Sequence, residues 1–382
     1  MSNEKRSLTP FHPALFVMAL LWLPGHTVNA QDPSGNLVLV TLDGVRWQEV
    51  FGGVDLGLIE DDRYTDGPEL LKKTFWREQR TERRKQLFPF LWSVIESQGV
   101  LVGDRLQDSF MEVSNPWWFS YPGYNEILTG RMDPAIDSND KNWNSNVTFL
   151  EVLNGMQGFE NRVLAFGSWD VFPYIFNTQR SDLPVNAGFS VATPAATERT
   201  RWLNEVSAEA PVLWRTVRLD FLTNGYAMEA LRSQQPRVTY ISYGETDDFA
   251  HDGSYDRYID AAHRTDLMLA KLWHWLQADS FYRDRTTLII TTDHGRGNTA
   301  DGWTLHASAA GAVKFGIEDA ADGVLGSDQI WLAAIGPHIQ SKGLVTGHWK
   351  QSQIAATAVR SLQLDPAKLI PMADKPMEQV LR

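Results

Sequence analysis

A chain of 382 residues with a formal net charge of −12, a pI near 5.2 and no cysteine is not a disulfide scaffold and offers no thiolate to a metal. Its acidity argues against a nucleic-acid scaffold, whose surface has to be basic to neutralise phosphates. A resident metal has to be held by His, Asp or Glu, and the 15 Trp residues are read as core and pocket walls.

At the N-terminus, Lys5 and Arg6 precede the apolar stretch PALFVMALLWLPG, which leads to the small-residue site Val28-Asn29-Ala30. This is the layout of a secretory signal peptide over residues 1–30, cleaved after Ala30. Pro13 and Pro24 interrupt the run, and it falls short of the roughly 20 apolar residues that a spanning helix needs. No later segment is apolar and long enough to cross a membrane, so the mature chain is expected to be periplasmic or secreted. Residues 31–382 exceed the usual domain length of about 100 to 200 residues, which predicts one large α/β domain with inserts.

Five apolar runs without alternation predict buried parallel strands: NLVLVTL (36–42), RVLAFGS (162–168), RVTYISYG (237–244), TTLIITT (286–292) and QIWLAAIG (329–336). Helical patterns lie between and around them at 86–98, 148–156, 210–233, 255–278 and 350–362. The alternation implies a parallel sheet covered on both faces. The charged stretch 52–85, with its TERRKQ segment, reads as an exposed insert and 171–210 as a cap.

Ligands of open α/β sheets gather beyond the carboxyl ends of the strands, so the residues that follow each run carry the functional reading. Asp43-Gly44 follows the first run, Glu245-Thr246-Asp247-Asp248-Phe249-Ala250-His251 the third and Asp293-His294-Gly295 the fourth. A single Asp at a strand end is most often a helix cap. Acids and imidazoles at three ends of one sheet suggest a divalent-cation site. Asp247 and His251, four apart, share a face if that turn is helical. Asp293 and His294 can both bend to one ion at a tight turn before Gly295. With His306 as a third ligand beside Asp247 and His251, a second ion keeps an open position. His348 competes for that last place; His306 is favoured because its loop leaves the strand that bears Asp293 and His294. His263 and His274 fall within a helical pattern and His338 follows Pro337, all three read as structural. Ser120, just before Tyr121-Pro122, is placed at a helix start, where the dipole and free N–H groups favour an anion.

Taken in order, Asp43, Ser120, Asp247-x3-His251, Asp293-His294-Gly295 and His306 resemble the alkaline phosphatase superfamily, which includes nucleotide pyrophosphatase/phosphodiesterases, sulfatases and cofactor-independent phosphoglycerate mutases. The resemblance spans 37 to about 362. It implies an alkaline phosphatase-like three-layer sandwich with a mostly parallel central sheet and a cap or insert region. It also implies one divalent ion held by Asp43, Asp293, His294 and the nucleophile Ser120, and a second held by Asp247, His251 and His306. The spacing from Asp293-His294 to His306 looks like the mutase-type branch, whereas the long spacing of the phosphodiesterase branch favours His348. The segment from Ser120 to Leu128-Thr129-Gly130-Arg131 also has the spacing of the sulfatase signature, but Tyr124 stands where sulfatases need an Arg for formylglycine formation. The expectation is therefore an exported hydrolase of small phosphate esters using two ions, Zn²⁺ in first place and Mn²⁺ in second. Asn125 and Arg46 are the candidates for contacts to the non-bridging oxygens, and Trp117 or Trp118 for stacking on a leaving group. The alternatives are a sulfatase-like hydrolase and a non-catalytic metal- or carbohydrate-binding protein.

Overall fold

The first strand forms where the apolar run predicts it, over Asn36–Leu42 (β1), and its seven side chains are all buried. The structure, a computed structural model, describes residues 35–317 and 320–382, so the signal-peptide stretch 1–30 lies outside the described residues. Among the described residues nine further strands follow: β2 (Val100–Val102), β3 (Ser109–Glu112), β4 (Val163–Gly167), β5 (Val185–Ala187), β6 (Val238–Tyr243), β7 (Thr286–Thr291), β8 (Leu332–Ile335), β9 (Gly343–Leu344) and β10 (Gly347–Lys350). Eight of them make the central sheet in the order β5-β4-β6-β1-β7-β8-β2-β9, and β3 pairs with β10 apart from it.

Successive strand residues point to opposite faces, and β1 shows both faces covered. Val38, Val40 and Leu42 enter one core together with Val50 and Phe51, Leu231 and the helix Tyr255–Ala278. Leu37 and Leu39 enter the other with Tyr124 and Ile127, Leu150 and the helix Gln353–Ser361. The result is three layers, helices on either side of a sheet that is parallel from β5 to β7. Among the described residues no helix is long and apolar enough to cross a membrane.

Three departures from the sequence reading have local causes. The run 329–336 does form a strand, but β8 is antiparallel to β7. Among the described residues the connection from β7 to β8 carries one short helix, Ala309–Phe315, and it brings the chain back into the sheet in the reverse direction. The single helix expected over 86–98 is broken. Arg80–Leu87 is helical, and the wider turn Leu91–Ile95 begins only after Pro89, which lacks the N–H that would continue the first helix. The pattern at 210–233 is helical only from Asp220, in the helix Asp220–Gln234, because Pro211 follows the end of a separate helix, Glu198–Glu209, that the pattern did not include.

The stretch 52–85 folds into the short helices Leu56–Ile59, Pro68–Phe75 and Arg80–Leu87. Arg80 and Arg84 turn inward to pair with the buried Asp104, and Leu58, Ile59, Leu71, Phe75 and the following Leu87 join the core. The stretch 171–210 contributes the edge strand β5 as well as helices.

Candidate active site

The sheet order puts the carboxyl ends of β6, β1 and β7 side by side, with Leu42 in register with Tyr243 and Thr41 with Thr291. Parallel neighbours lie about 4.8 Å apart, so the residues that follow these strands share one small volume. Asp43 continues β1, donating its N–H to the Tyr243 carbonyl at 3.0 Å. Its Oδ2 accepts from the Tyr124 hydroxyl at 2.8 Å, whereas its Oδ1 is buried and meets no donor. Gly44 has φ +62°, and a Cβ there would come within 2.8 Å of both Asp247 Oδ1 and Arg296 Nε, so only glycine fits.

Asp293 and His294 follow β7 on a turn whose carbonyls are held by Gln351 Nε2, at 2.6 Å from the Asp293 oxygen. Asp293 Oδ1 accepts from Gly44 N at 3.1 Å, and its Oδ2 is a second buried oxygen with no donor. His294 is fully buried, and its Nδ1 lies 2.8 Å from the Gly295 carbonyl. That bond requires a proton on Nδ1 and directs Nε2 into the cluster, 3.4 Å from Asp43 Oδ1, 3.4 Å from Asp293 Oδ2 and 3.3 Å from Ser120 Oγ.

Ser120 is the first residue of the helix Ser120–Thr129 and is buried. A Cβ at Gly123 would collide with the Asp293 carbonyl, so glycine there lets the helix lie against the end of β7. Glu126, on the same helix, accepts from Ser114 N, Asn115 N and Ser352 N and so fixes the loop that enters it.

The third strand end turns into the helix Glu245–His251, which places Asp247 and His251 one turn apart. His251 Nε2 is 3.3 Å from Asp247 Oδ2 and 3.0 Å from His306 Nε2, and His306 Nε2 is 3.7 Å from Asp247 Oδ1. The His306 ring stacks on His294 with centroids 3.7 Å apart. His348 is elsewhere, on the exposed side of β10 and stacked on Phe110. Of the two rivals for the last ligand place, His306 is the one that stands in the cluster. Two sets of ligand atoms each fall within 4.8 Å of one another, Asp43-Asp293-His294 and Asp247-His294-His306. The first matches the expected grouping; in the second, His294 takes the place expected of His251, which sits at the rim with 42% of its side chain exposed.

The electrostatics fit a cation centre. Burial lifts the Asp293 carboxyl well above its usual value, and the neighbouring Asp43 charge adds to that. Burial alone would lower His294, but the carboxylates of Asp293, Asp43 and Asp247 prevail and raise it to about 9. Burial would raise Asp247 too, yet the charges of Arg296 and His251 hold it well below the usual carboxylate range. His306 is pushed far down, by burial first and by His294 second. Two buried carboxyl oxygens without donors are costly unless a positive charge meets them. The His and Asp donor set fits Zn²⁺ or Mn²⁺ at that spot.

The two residues expected to contact substrate also make bonds within the fold. Arg46 is buried, ion-paired with Glu49 and hydrogen-bonded to the Gly297 carbonyl at 3.1 Å. Asn125 Oδ1 accepts from Asn144 and Asn146, each at 3.2 Å, while its Nδ2 is a buried donor that meets no acceptor. At roughly 100° per residue, Tyr124 lies about 40° around the helix from Ser120 and reaches the site, whereas Asn125 lies about 140° away. Arg296 escaped the sequence reading, although its signal was present: an arginine two residues after an Asp-His pair, in a buried turn, has to be matched by an acid. It is fully buried and ion-paired with Asp247.

Residues 60–310 match the family described as type I phosphodiesterase / nucleotide pyrophosphatase, a range that includes Ser120, Asp247, His251, Asp293, His294 and His306. No curated protein matches the chain by sequence. Among solved structures, the chain is similar to alkaline phosphatase PafA, with 11% identity and a TM-score of 0.58 over 92% of this chain and 99% of that one. An inactive variant of the murine ectonucleotide pyrophosphatase/phosphodiesterase 5 in complex with AMP aligns at 12% identity and a TM-score of 0.52, over 91% and 100% of the two chains. The phosphonate monoester hydrolase of Silicibacter pomeroyi aligns at 11% and 0.52, over 90% and 76%. At such identities the likeness establishes the fold, which is alkaline phosphatase-like.

Proposed function

The chain belongs to the type I phosphodiesterase / nucleotide pyrophosphatase family, and from that premise we propose that it is an exported phosphate-ester hydrolase with Ser120 as nucleophile and two divalent cations as cofactors. One observation carries the reading. Ser120 Oγ, in the first turn of its helix, lies 3.3 Å from His294 Nε2, beside two buried carboxylate oxygens that no donor meets. Asp43, Asp293 and His294, with Ser120 Oγ, would hold one cation, and Asp247, His251 and His306 the other, Zn²⁺ before Mn²⁺. Bound there, the pair would lower the pKa of the Ser120 hydroxyl and offset charge on the departing oxygen.

The chain's own groups do the rest. Tyr124 holds Asp43 through Oδ2, which keeps Oδ1 turned toward His294. The Nδ1 anchor on Gly295 stops the His294 ring from rotating. The free N–H groups at the start of the Ser120–Thr129 helix favour the negative oxygens of a phosphoryl group. Ser120 Oγ attacks phosphorus, the ester oxygen departs, and the resulting phosphoserine is cleaved by water to regenerate the hydroxyl. Tyr124, buried and bonded to Asp43 at the position where sulfatases carry Arg, favours phosphate over sulfate esters. Nucleotides are the first substrates to try, since one protein of this fold is solved with AMP. Export rests on the signal-peptide pattern of residues 1–30.

The test is Ser120→Ala assayed on p-nitrophenyl phosphate and on the bis-p-nitrophenyl diester. Turnover should vanish while metal content stays near that of the parent. Retained turnover removes Ser120 from the reaction.

A further inference from the structure

The two cation positions are not equivalent in charge. At the first, Asp43 Oδ1 and Asp293 Oδ2 are buried without a donor, and the nitrogen that approaches both is His294 Nε2 at 3.4 Å. At the second, Asp247 already carries a full guanidinium: Arg296 Nη2 donates to Asp247 Oδ1 and, at 3.0 Å, to the Asp247 carbonyl. Arg296 has no room to withdraw. Its side chain is wholly buried, Nη1 is held by the Thr304 carbonyl at 2.7 Å, and the group packs against Gly44, where even a Cβ would lie 2.8 Å from Nε.

We propose that Arg296 makes the second position the weak one: the Asp43-Asp293-His294 site binds its divalent cation tightly, and the Asp247-His306 site binds a second, exchangeable cation with lower affinity. A carboxylate has lone pairs enough for both a guanidinium and a metal, so occupancy is not blocked. Two positive charges on one carboxylate repel each other in a medium that screens poorly, and a carboxylate that already accepts from a guanidinium is a poorer ligand. His251, which also serves this position, is the most exposed of the histidines in the cluster, and that gives the second cation a route to solvent. The inference rests on the two-cation reading of the site.

The experiment is Zn²⁺ binding to the exported protein by calorimetry and by metal analysis after passage over a chelating resin, without any turnover assay. The parent should keep one equivalent through the resin and bind a second with an affinity lower by at least about tenfold. His251→Ala should weaken only the second equivalent, and Asp293→Asn only the first. In Arg296→Met the two affinities should converge, while Arg296→Lys, which keeps the charge, should leave them apart. Two equal equivalents in the parent, or no convergence in Arg296→Met, overturn the role of Arg296. If Arg296→Met fails to fold, unequal binding in the parent with His251→Ala acting on the weak equivalent supports the proposal, and equal binding sinks it. A parent that binds no Zn²⁺ overturns the two-cation reading as well.

Discussion

The half of the centre made by Asp43, Asp293 and His294 grows from β1 and β7, two middle strands of the sheet, and all three side chains are buried. The other half hangs from the seven-residue helix Glu245–His251 and from the loop that carries His306, and its His251 is half-exposed. On the proposed function, the difference would put the buried half beside the nucleophile and the exposed half toward solvent. Errors of about 1 Å at a reacting atom can cost a hundredfold in rate, so a nucleophile would be best aligned beside the fully buried half. Side chains on a short helix tolerate exchange of what they hold.

That contrast can be broken or sharpened by measurement. The largest effect is expected in the rigid half: Asp293→Asn should lower kcat by about a thousandfold or more and remove one metal equivalent, read by steady-state kinetics and metal analysis. Metal-free protein should show the rigid half through its pH dependence. The folded pKa of His294 is raised to about 9, above an unfolded value near 6.5, so its contribution is complete below pH 6.5 and disappears as the pH rises through 9. The upward displacement of Asp293 acts with the same sign. Chelated protein should therefore lose stability on the order of 3 kcal/mol between pH 6.5 and 9 in urea titrations. Zn²⁺-loaded protein should not, because the cation then replaces the proton. His251→Ala, in the accessible half, should cost roughly ten- to a hundredfold in kcat, partly restored by added Zn²⁺. His348→Ala should change neither activity nor, by more than about 0.5 kcal/mol, stability, because its ring only stacks on Phe110 at the surface. A large loss in that variant would return His348 to the ligand set.

Much of this organisation is legible in the chain because it is local. The run 36–42 and the pattern 255–278 coincide with an observed strand and helix to the residue, since burial of every side chain and a 3.6-residue apolar period each leave a mark on contiguous residues. Short strands such as β9 and β5, two and three residues long, leave no such mark and went unread. The strand ends at Asp43, Asp247 and Asp293 were legible as a joint pattern of acids and imidazoles. The partners of Arg46 and Asn125 were not, because an arginine beside an acid three residues on and an asparagine on a polar helix look the same whether they face a ligand or the fold.

The sequence by itself determined which segments become the middle strands, where each ends, and that Asp and His stand at those ends; apolar runs and chain-breaking residues act over a few positions and need no distant partner. Only the tertiary structure decided that β6, β1 and β7 lie next to one another, that β8 runs against them, that His306 and not His348 stacks on His294, and that Arg296 closes on Asp247. Those contacts join residues up to about 250 positions apart, and their geometry is set by sheet order and buried charge, which no local pattern encodes.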